Sequence, residues 1–237
     1  MAYVYLNGEK TYISFQGVRY YLRKSDYTLN VSPLHISDDM SGKLAGIPSI
    51  STSCRVNPHC LARMRAGKAG AICKSCFAEK TLSRYSDTDR AAESNFILLN
   101  SGLLPDAWLP VFGNVRYVRI ESFGDLYTVN QARNYLRIVK KNPGVIFAWW
   151  TKNAGILARA IKLEGRPKNL SLVQSSELID KPDKKRFPFF DHVFTVYSSE
   201  KTAADHGKKI TCGARSCMGC LRCYSRRTAC DVSELLK

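Results

Sequence analysis

Residues 145–173 read VIFAWWTKNAGILARAIKLEGRPKNLSLV, and three kinds of segment succeed one another in that stretch. Val145–Trp150 and Leu170–Val173 are short β-branched or aromatic runs, the composition of strands. Between them, Ala154 to Leu163 is helical in spacing. Outward on either side the rhythm repeats. Val115–Ile120 is a third strand, followed by a helical segment from Val129 to Lys140, and His192–Tyr197 is a fourth. Such alternation favours parallel βαβ units. The expected fold is therefore α/β, as a partial barrel or an open, mainly parallel sheet, doubly wound in the second case. No Gly-rich phosphate loop follows any of these strands, so neither a P-loop nor a dinucleotide fingerprint is present.

Nearer the start, apolar and polar residues alternate around Asn7-Gly8 and Gln16-Gly17, which predicts short antiparallel strands in an N-terminal β cap over residues 1–31. Ser32 to Ser53 is rich in Ser, Gly and Pro and reads as a long ordered loop. After Cys76, the stretch from Phe77 to Leu99 has helical spacing with a charged face. Residues 32–237 are expected to form the α/β core, with cap and core making one compact domain.

Each strand runs into polar residues at its carboxyl end. Glu121, Ser122 and Asp125 come after the first, Thr151 and Lys152 after the second, Gln174, Ser175 and Ser176 after the third, Ser198 and Ser199 after the fourth. In parallel α/β architectures the carboxyl ends of strands form the ligand-binding rim. Asp125 and Lys152 are the catalytic candidates on that rim, and Glu121, Ser122, Gln174 and Ser198 are the substrate-binding candidates. The competing reading is that Ser, Thr and Asp there are helix caps.

Nine cysteines are an odd number and cannot all pair within one chain. In a reducing compartment they read as metal ligands rather than disulfides. The C-terminal group is Cys212-x4-Cys217-x2-Cys220-x2-Cys223, and its C-x2-C-x2-C run is the spacing of bacterial ferredoxin clusters. Structural zinc more often uses two separated C-x2-C knuckles. Gly213 and Gly219 are expected to let the backbone turn tightly around the sulfurs. Cys212 is the expected fourth ligand, since Cys230 lies beyond a basic stretch, Arg226-Arg227, expected to be helical. The N-terminal group, Cys54-x5-Cys60 then Cys73-x2-Cys76, supplies a second four-sulfur set whose spacing suits either iron–sulfur or zinc. His59, beside Cys60, is an alternative ligand. The expected cofactor is thus one or two iron–sulfur clusters of the 4Fe–4S type, with zinc as the alternative.

Several segments together resemble the bacteriophage gene product 88 family. They are GKLAGIPSIS before Cys54, Cys73-Lys-Ser-Cys76-Phe77-Ala78, and Ser122-Phe123-Gly124-Asp125-Leu126-Tyr127, which is similar to the family's Ser-Gly-Asp-aromatic segment. The resemblance continues through Phe147-Ala-Trp-Trp-Thr151-Lys152 and Val193-Phe-Thr-Val-Tyr-Ser198 to the terminal cysteines, spanning about residues 42 to 224. It implies a phage or mobile-element origin and a cysteine-bound metal centre, but no well-established reaction. The sequence departs from the family in the insert between Cys60 and Cys73 and in Phe123 before Gly124. More distantly, the arrangement is similar to radical SAM enzymes. Those use C-x3-C-x2-C with one iron open; no such triplet occurs from Cys54 to Cys76, and four ligating cysteines there would leave no iron open.

The formal net charge is +16 and the pI about 9.6. Two four-thiolate sites around dipositive centres would lower that charge by about four units. The remaining excess predicts attraction to polyanions, with Arg63, Arg65, Lys68, Arg222, Arg226 and Arg227 beside the cysteines as contributors. Dispersed charge also serves solubility alone. No apolar stretch is long enough to cross a bilayer and residues 1–25 contain no signal-peptide core, so no membrane partner and a cytoplasmic location, the host cytosol if phage-encoded, are expected. Two functions compete: an iron–sulfur enzyme acting on a nucleotide or nucleic acid, and a non-catalytic metal-stabilised module binding nucleic acid or a host protein. The four histidines lie in no metalloprotease motif, and no G-x-S-x-G elbow is present.

Overall fold

The computed structural model describes residues 32–38, 41–66, 69–184, 187–226 and 231–236, together with the backbone of 12–15 and 18–21. An antiparallel pair, β1 (Tyr12–Phe15) and β2 (Val18–Tyr21), matches the second expected hairpin; its turn and the Asn7-Gly8 region lie outside the described residues. The main sheet contains six parallel strands, β3 (Ser49–Ile50), β4 (Tyr117–Ile120), β5 (Ile146–Thr151), β6 (Leu170–Ser175), β7 (His192–Tyr197) and β8 (Val232–Leu235). They lie side by side in chain order, and the sheet stays open.

That order decides where the helices go. The crossovers from β3 through β6 each step one strand further in the same direction, and their long helices gather on one face. A doubly wound sheet would instead reverse its strand order at a switch point. The helices are α1 (Pro58–Ala66), α2 (Phe77–Leu82), α3 (Ser86–Asn100), α4 (Val129–Lys141), α5 (Ala154–Glu164), α6 (Glu200–Asp205) and α7 (Cys217–Cys220). Leu98 and Leu99 of α3, Tyr135, Leu136 and Val139 of α4, and Leu157 and Ala160 of α5 pack on Val118, Ile120, Phe147, Trp149 and Leu172 as the main core. Strand alternation sends the intervening residues, Tyr117, Ile146, Ala148 and Trp150, to the opposite face. There they meet Ile47, Phe194, Tyr224, Cys217 and Cys223, so the C-terminal cysteine segment covers the face that the long helices leave bare.

Three expected elements differ in detail. The first predicted strand begins at Tyr117 rather than Val115, because Val115 N–H closes a tight turn onto the Gly113 carbonyl at 2.8 Å. The single helix expected from Phe77 to Leu99 is two, broken where the N–H groups of Arg84 and Tyr85 both turn back to Thr81 O. Within the expected loop from Ser32 to Ser53, Ser49–Ile50 forms an edge strand, with Arg119 N–H donating to Pro48 O and Glu121 N–H to Ile50 O, each at 2.9 Å. Asn95 on α3 ties that region down by donating to Ser51 O and His35 O and accepting the His35 N–H.

Candidate metal centre

The N-terminal cysteines lie in the long crossover that leaves the carboxyl end of β3. Asn57 and Pro58 start α1 in the usual way: the Asn57 side chain accepts from His59 N–H at 2.9 Å, and proline occupies the first helical position. Asn57 Nδ2 also donates to Asp125 O at 2.7 Å, so the helix carrying Cys60 is fastened to the end of β4. Cys73 sits in a short 3-10 turn, Ile72–Ser75, and Cys76 opens α2. Cys54 is buried against Leu82, Ala92 and Phe123, with Cys60 and Cys76 at the edge of the same cluster. Phe123, the residue that departs from the family pattern, therefore packs on the N-terminal sulfurs.

Electrostatics tie these four thiols together. Cys54 and Cys76 share a hydrogen bond in which Cys54 holds the proton. That bond, with the Glu79 and Ala78 N–H groups, brings Cys76 down to about 6, while Cys54 is raised by the bond and by burial. Burial pushes up Cys60 and Cys73, and Lys152 opposes the shift at both. Arg63 adds a second cation beside Cys73.

Beneath these cysteines lies a buried carboxylate hub. Glu121, in left-handed backbone at φ 58°, accepts from Thr52 N–H at 3.0 Å, Gln131 Nε2 at 2.8 Å and the Tyr135 hydroxyl at 2.8 Å, and the Thr52 hydroxyl donates to it as well. Burial raises its pKa to about 7 against those donors. Gly124 passes so close that a Cβ would sit 2.5 Å from Thr52 O and 2.7 Å from Glu121 Oε2. Asp125 is also saturated: it accepts from Thr151 Oγ1 at 2.5 Å, Leu126 N–H at 2.8 Å and Lys152 N–H at 3.1 Å, and Arg63 lies 3.5 Å away.

The C-terminal group closes the other side. Cys212 is pinned beside β8 by its N–H to Ser233 O at 2.9 Å. Ser216 Oγ caps α7 by accepting from Met218 N–H, and α7 carries Cys217 and Cys220. Cys223 follows in a 3-10 turn, Arg222–Tyr224, whose buried Tyr224 meets Tyr117 edge-to-face. The left-handed turn of this segment falls on Leu221, at φ 50°, and on neither Gly213 nor Gly219 as expected. Lys43 Nζ reaches Cys212 Sγ at 3.5 Å and Glu234 at 2.8 Å. Arg119, on the cavity face of β4, lies over the Trp150 ring at 3.0 Å and beside Tyr224, Cys223, Cys217 and Cys212. Its Nε is buried without a hydrogen-bond partner among the described residues. Burial raises Cys217, and Cys223 to about 12, with Arg119 pulling both the other way.

Both groups open onto one cavity of about 820 Å³, lined by all eight of these cysteines. Glu121, Ser122, Asp125 and Lys152 line it too. Gln174 and Ser198 do not: Gln174 Nε2 donates to Lys184 O, and Ser198 Oγ donates to Asp180. On β6 it is Ser175, one residue on, that reaches the cavity. His59 turns away, edge-on to Tyr127 with Nδ1 facing Leu126 O. Arg226 is held by Asp191 and Lys168 O, while Lys68, Arg227 and Cys230 lie outside the described residues. Arg119 and Trp150 were absent from the expected site. Their signal was the alternation of β4, where Arg119 shares a face with Tyr117 and opposes Val118 and Ile120.

None of these eight cysteines is in a disulfide among the described residues. Among the described residues, no three His, Cys, Asp or Glu side chains converge in an arrangement that could already hold a metal ion. The donor set itself suits a thiolate-ligated centre, with four sulfurs in each group and a lysine and an arginine beside each to offset thiolate charge. Among the described residues no helix is long and apolar enough to cross a membrane. No curated protein and no solved structure matches the chain. The family model of Gene product 88 matches residues 28–235, and the chain belongs to that family.

Proposed function

We propose that this member of the Gene product 88 family is an iron–sulfur protein of phage or mobile-element type, working in the host cytosol, whose cavity takes a nucleotide or nucleic-acid substrate. Cys54, Cys60, Cys73 and Cys76 would hold one 4Fe–4S cluster, and Cys212, Cys217, Cys220 and Cys223 the other. One observation carries the reading: cysteines from opposite ends of the chain line a single cavity, with Lys43 and Arg119 beside one set and Arg63 and Lys152 beside the other. Thiols packed only as small hydrophobes have no use for cations at their side. Thiolates around a metal centre do, because the assembly keeps net negative charge. The ferredoxin-like C-x2-C-x2-C run favours a cluster over zinc.

A bound cluster, with each iron held by a cysteine, would supply one-electron transfer at the cavity wall. Lys152 is the side chain that would touch an anionic substrate. Asp125 is a positioning residue, since its carboxylate is taken up by Thr151, Leu126 and Lys152 N–H and faces Arg63. A second reading, a non-catalytic module for nucleic acid or a host protein, is favoured by the +16 charge alone.

Iron, labile sulfide and zinc should be measured per chain in the wild type, Cys76→Ser and Cys220→Ser, all purified anaerobically. Each variant should lose about half of the iron and sulfide, as expected of two independent four-thiolate sites. Stoichiometric zinc without sulfide would overturn the cluster assignment. A variant that keeps the full complement would remove its cysteine from the ligand set. To separate the enzyme from the binding module, Lys152→Met should abolish turnover of a bound substrate while retaining metal and fold.

A further inference from the structure

The cavity mouth carries a feature that metal binding does not use. Phe77 is 63% exposed and Tyr85 61% exposed, although both belong to a segment anchored by the buried Leu82. Both line the cavity, as do Thr81 and Thr88, so α2, the turn after it and the start of α3 present one continuous strip along its edge. Leu236 lines the same cavity and is 38% exposed. The same segment carries Lys74, Lys80 and Arg84, exposed and in no ion pair among the described residues, whereas Asp87 and Asp89 are paired with Arg90 and Arg55. The cavity wall carries Arg63, Arg119 and Lys152.

Exposed aromatic rings on a segment that also carries unpaired cations, in a chain of formal charge +16, suit a partner with both flat apolar faces and negative charge. A protein partner would be expected to meet apolar anchors and a mixed-charge rim. A duplex hides its base faces in its own stack, so the rings could not reach them. Unpaired bases offer those faces, and base–aromatic stacking with cation contact to the backbone is the usual means of holding a single strand. We propose that this rim is a docking surface for single-stranded nucleic acid, with bases stacking on Phe77 and Tyr85 and the backbone following Lys74, Lys80 and Arg84. The proposal rests on the nucleic-acid part of the functional reading above and narrows its substrate class. It places the strand across the opening of the cavity that both cysteine groups line.

Fluorescence anisotropy with a labelled oligothymidylate, and with a duplex of equal length, tests it at several salt concentrations on the protein as purified, with metal content measured in every sample. The wild type should bind the single strand more tightly than the duplex. Phe77→Ala and Tyr85→Ala should each weaken binding by about 5- to 150-fold at unchanged metal content, while Tyr85→Phe retains it. Neither aromatic variant should change the salt dependence. Lys80→Ala with Arg84→Ala should flatten it, by about 0.7 in the logarithmic slope for each phosphate released. Binding that survives both alanine replacements undiminished, or that prefers duplex, would overturn this surface while leaving the nucleic-acid reading in place. No binding by the wild type at low salt would overturn both.

Discussion

Replacing Gly124 with alanine should unfold the cavity wall more effectively than its size suggests. An added Cβ would sit 2.5 Å from Thr52 O and 2.7 Å from Glu121 Oε2, and closer still to Thr52 Oγ1. Ordinary carbon–oxygen contact begins at about 3.3 Å. Thr52 O is backbone next to strand β3, so it cannot swing aside as a side chain would. Overpacking of this kind costs about 1–3 kcal/mol. Any shift of Thr52 also strips its N–H and hydroxyl from the buried Glu121 carboxylate, a further loss of about 1.5–3 kcal/mol. The sum is about 2.5–6 kcal/mol, a large share of a typical domain's stability. For a chain of this length each kcal/mol moves the midpoint by about 2–4 °C, so the melting temperature should fall by about 5–24 °C. Thermal unfolding followed by circular dichroism, on metal-free protein to isolate the packing contribution, is the assay. A midpoint within about 2 °C of wild type would refute the steric reasoning, since the predicted loss cannot shrink that far.

The same geometry sets other expectations. Phe123→Ala, which uncovers Cys54, should cost about 3–5 kcal/mol and loosen the metal of the N-terminal group ahead of the C-terminal one; equal loss from both would contradict the packing. Arg119→Met should leave the fold intact yet speed metal loss from the C-terminal group to a chelator, because the cation beside Cys212, Cys217 and Cys223 is gone; unchanged release would remove Arg119 from that role. Cys220→Ser should lower thermal stability well beyond Cys230→Ser, and equal small effects would reject the ligand assignment. Glu121, held up at about 7 against its ordinary 4.5, keeps a proton in the folded state that the unfolded state has released. Its contribution to stability is therefore complete below pH 4.5 and is lost as pH rises toward 7, by up to about 1.4 kcal/mol per unit. Urea unfolding of metal-free wild type and Glu121→Gln at pH 5 and pH 8 checks this: the variant should show the smaller loss, and identical losses would contradict it.

The parallel sheet was legible because β4, β5 and β6 are short strand-forming runs separated by the strongly patterned helices α4 and α5. β3 and β8 were not. Two residues of β3 carry no periodicity, and β8 lies just beyond the cysteine run, so in both cases pairing with a neighbour rather than local composition makes the strand. The cysteines themselves stood out by spacing, but spacing could not show that the two groups face each other. Their meeting comes from sequential strand order, which leaves one sheet face free of long helices and lets the C-terminal segment cover it. Asp125 stood out as an acid after a strand, yet its carboxylate proves to be fully engaged, a property visible only once Thr151 and Lys152 are brought beside it. Gln174 and Ser198 illustrate the cost of reading strand ends without register: one residue separates Gln174, bonded to Lys184 O, from Ser175 in the cavity.

Two cysteine groups serving metal centres within one shared cavity are the central claim. Anaerobic purification followed by visible and electron paramagnetic resonance spectroscopy, with iron and sulfide analysis on the same sample, tests it most directly. The prediction is a brown protein absorbing broadly near roughly 400 nm, as thiolate-ligated clusters do. After reduction it should show two paramagnetic centres whose signals are broadened by mutual coupling. Zinc without labile sulfide, or two magnetically isolated centres, would contradict it.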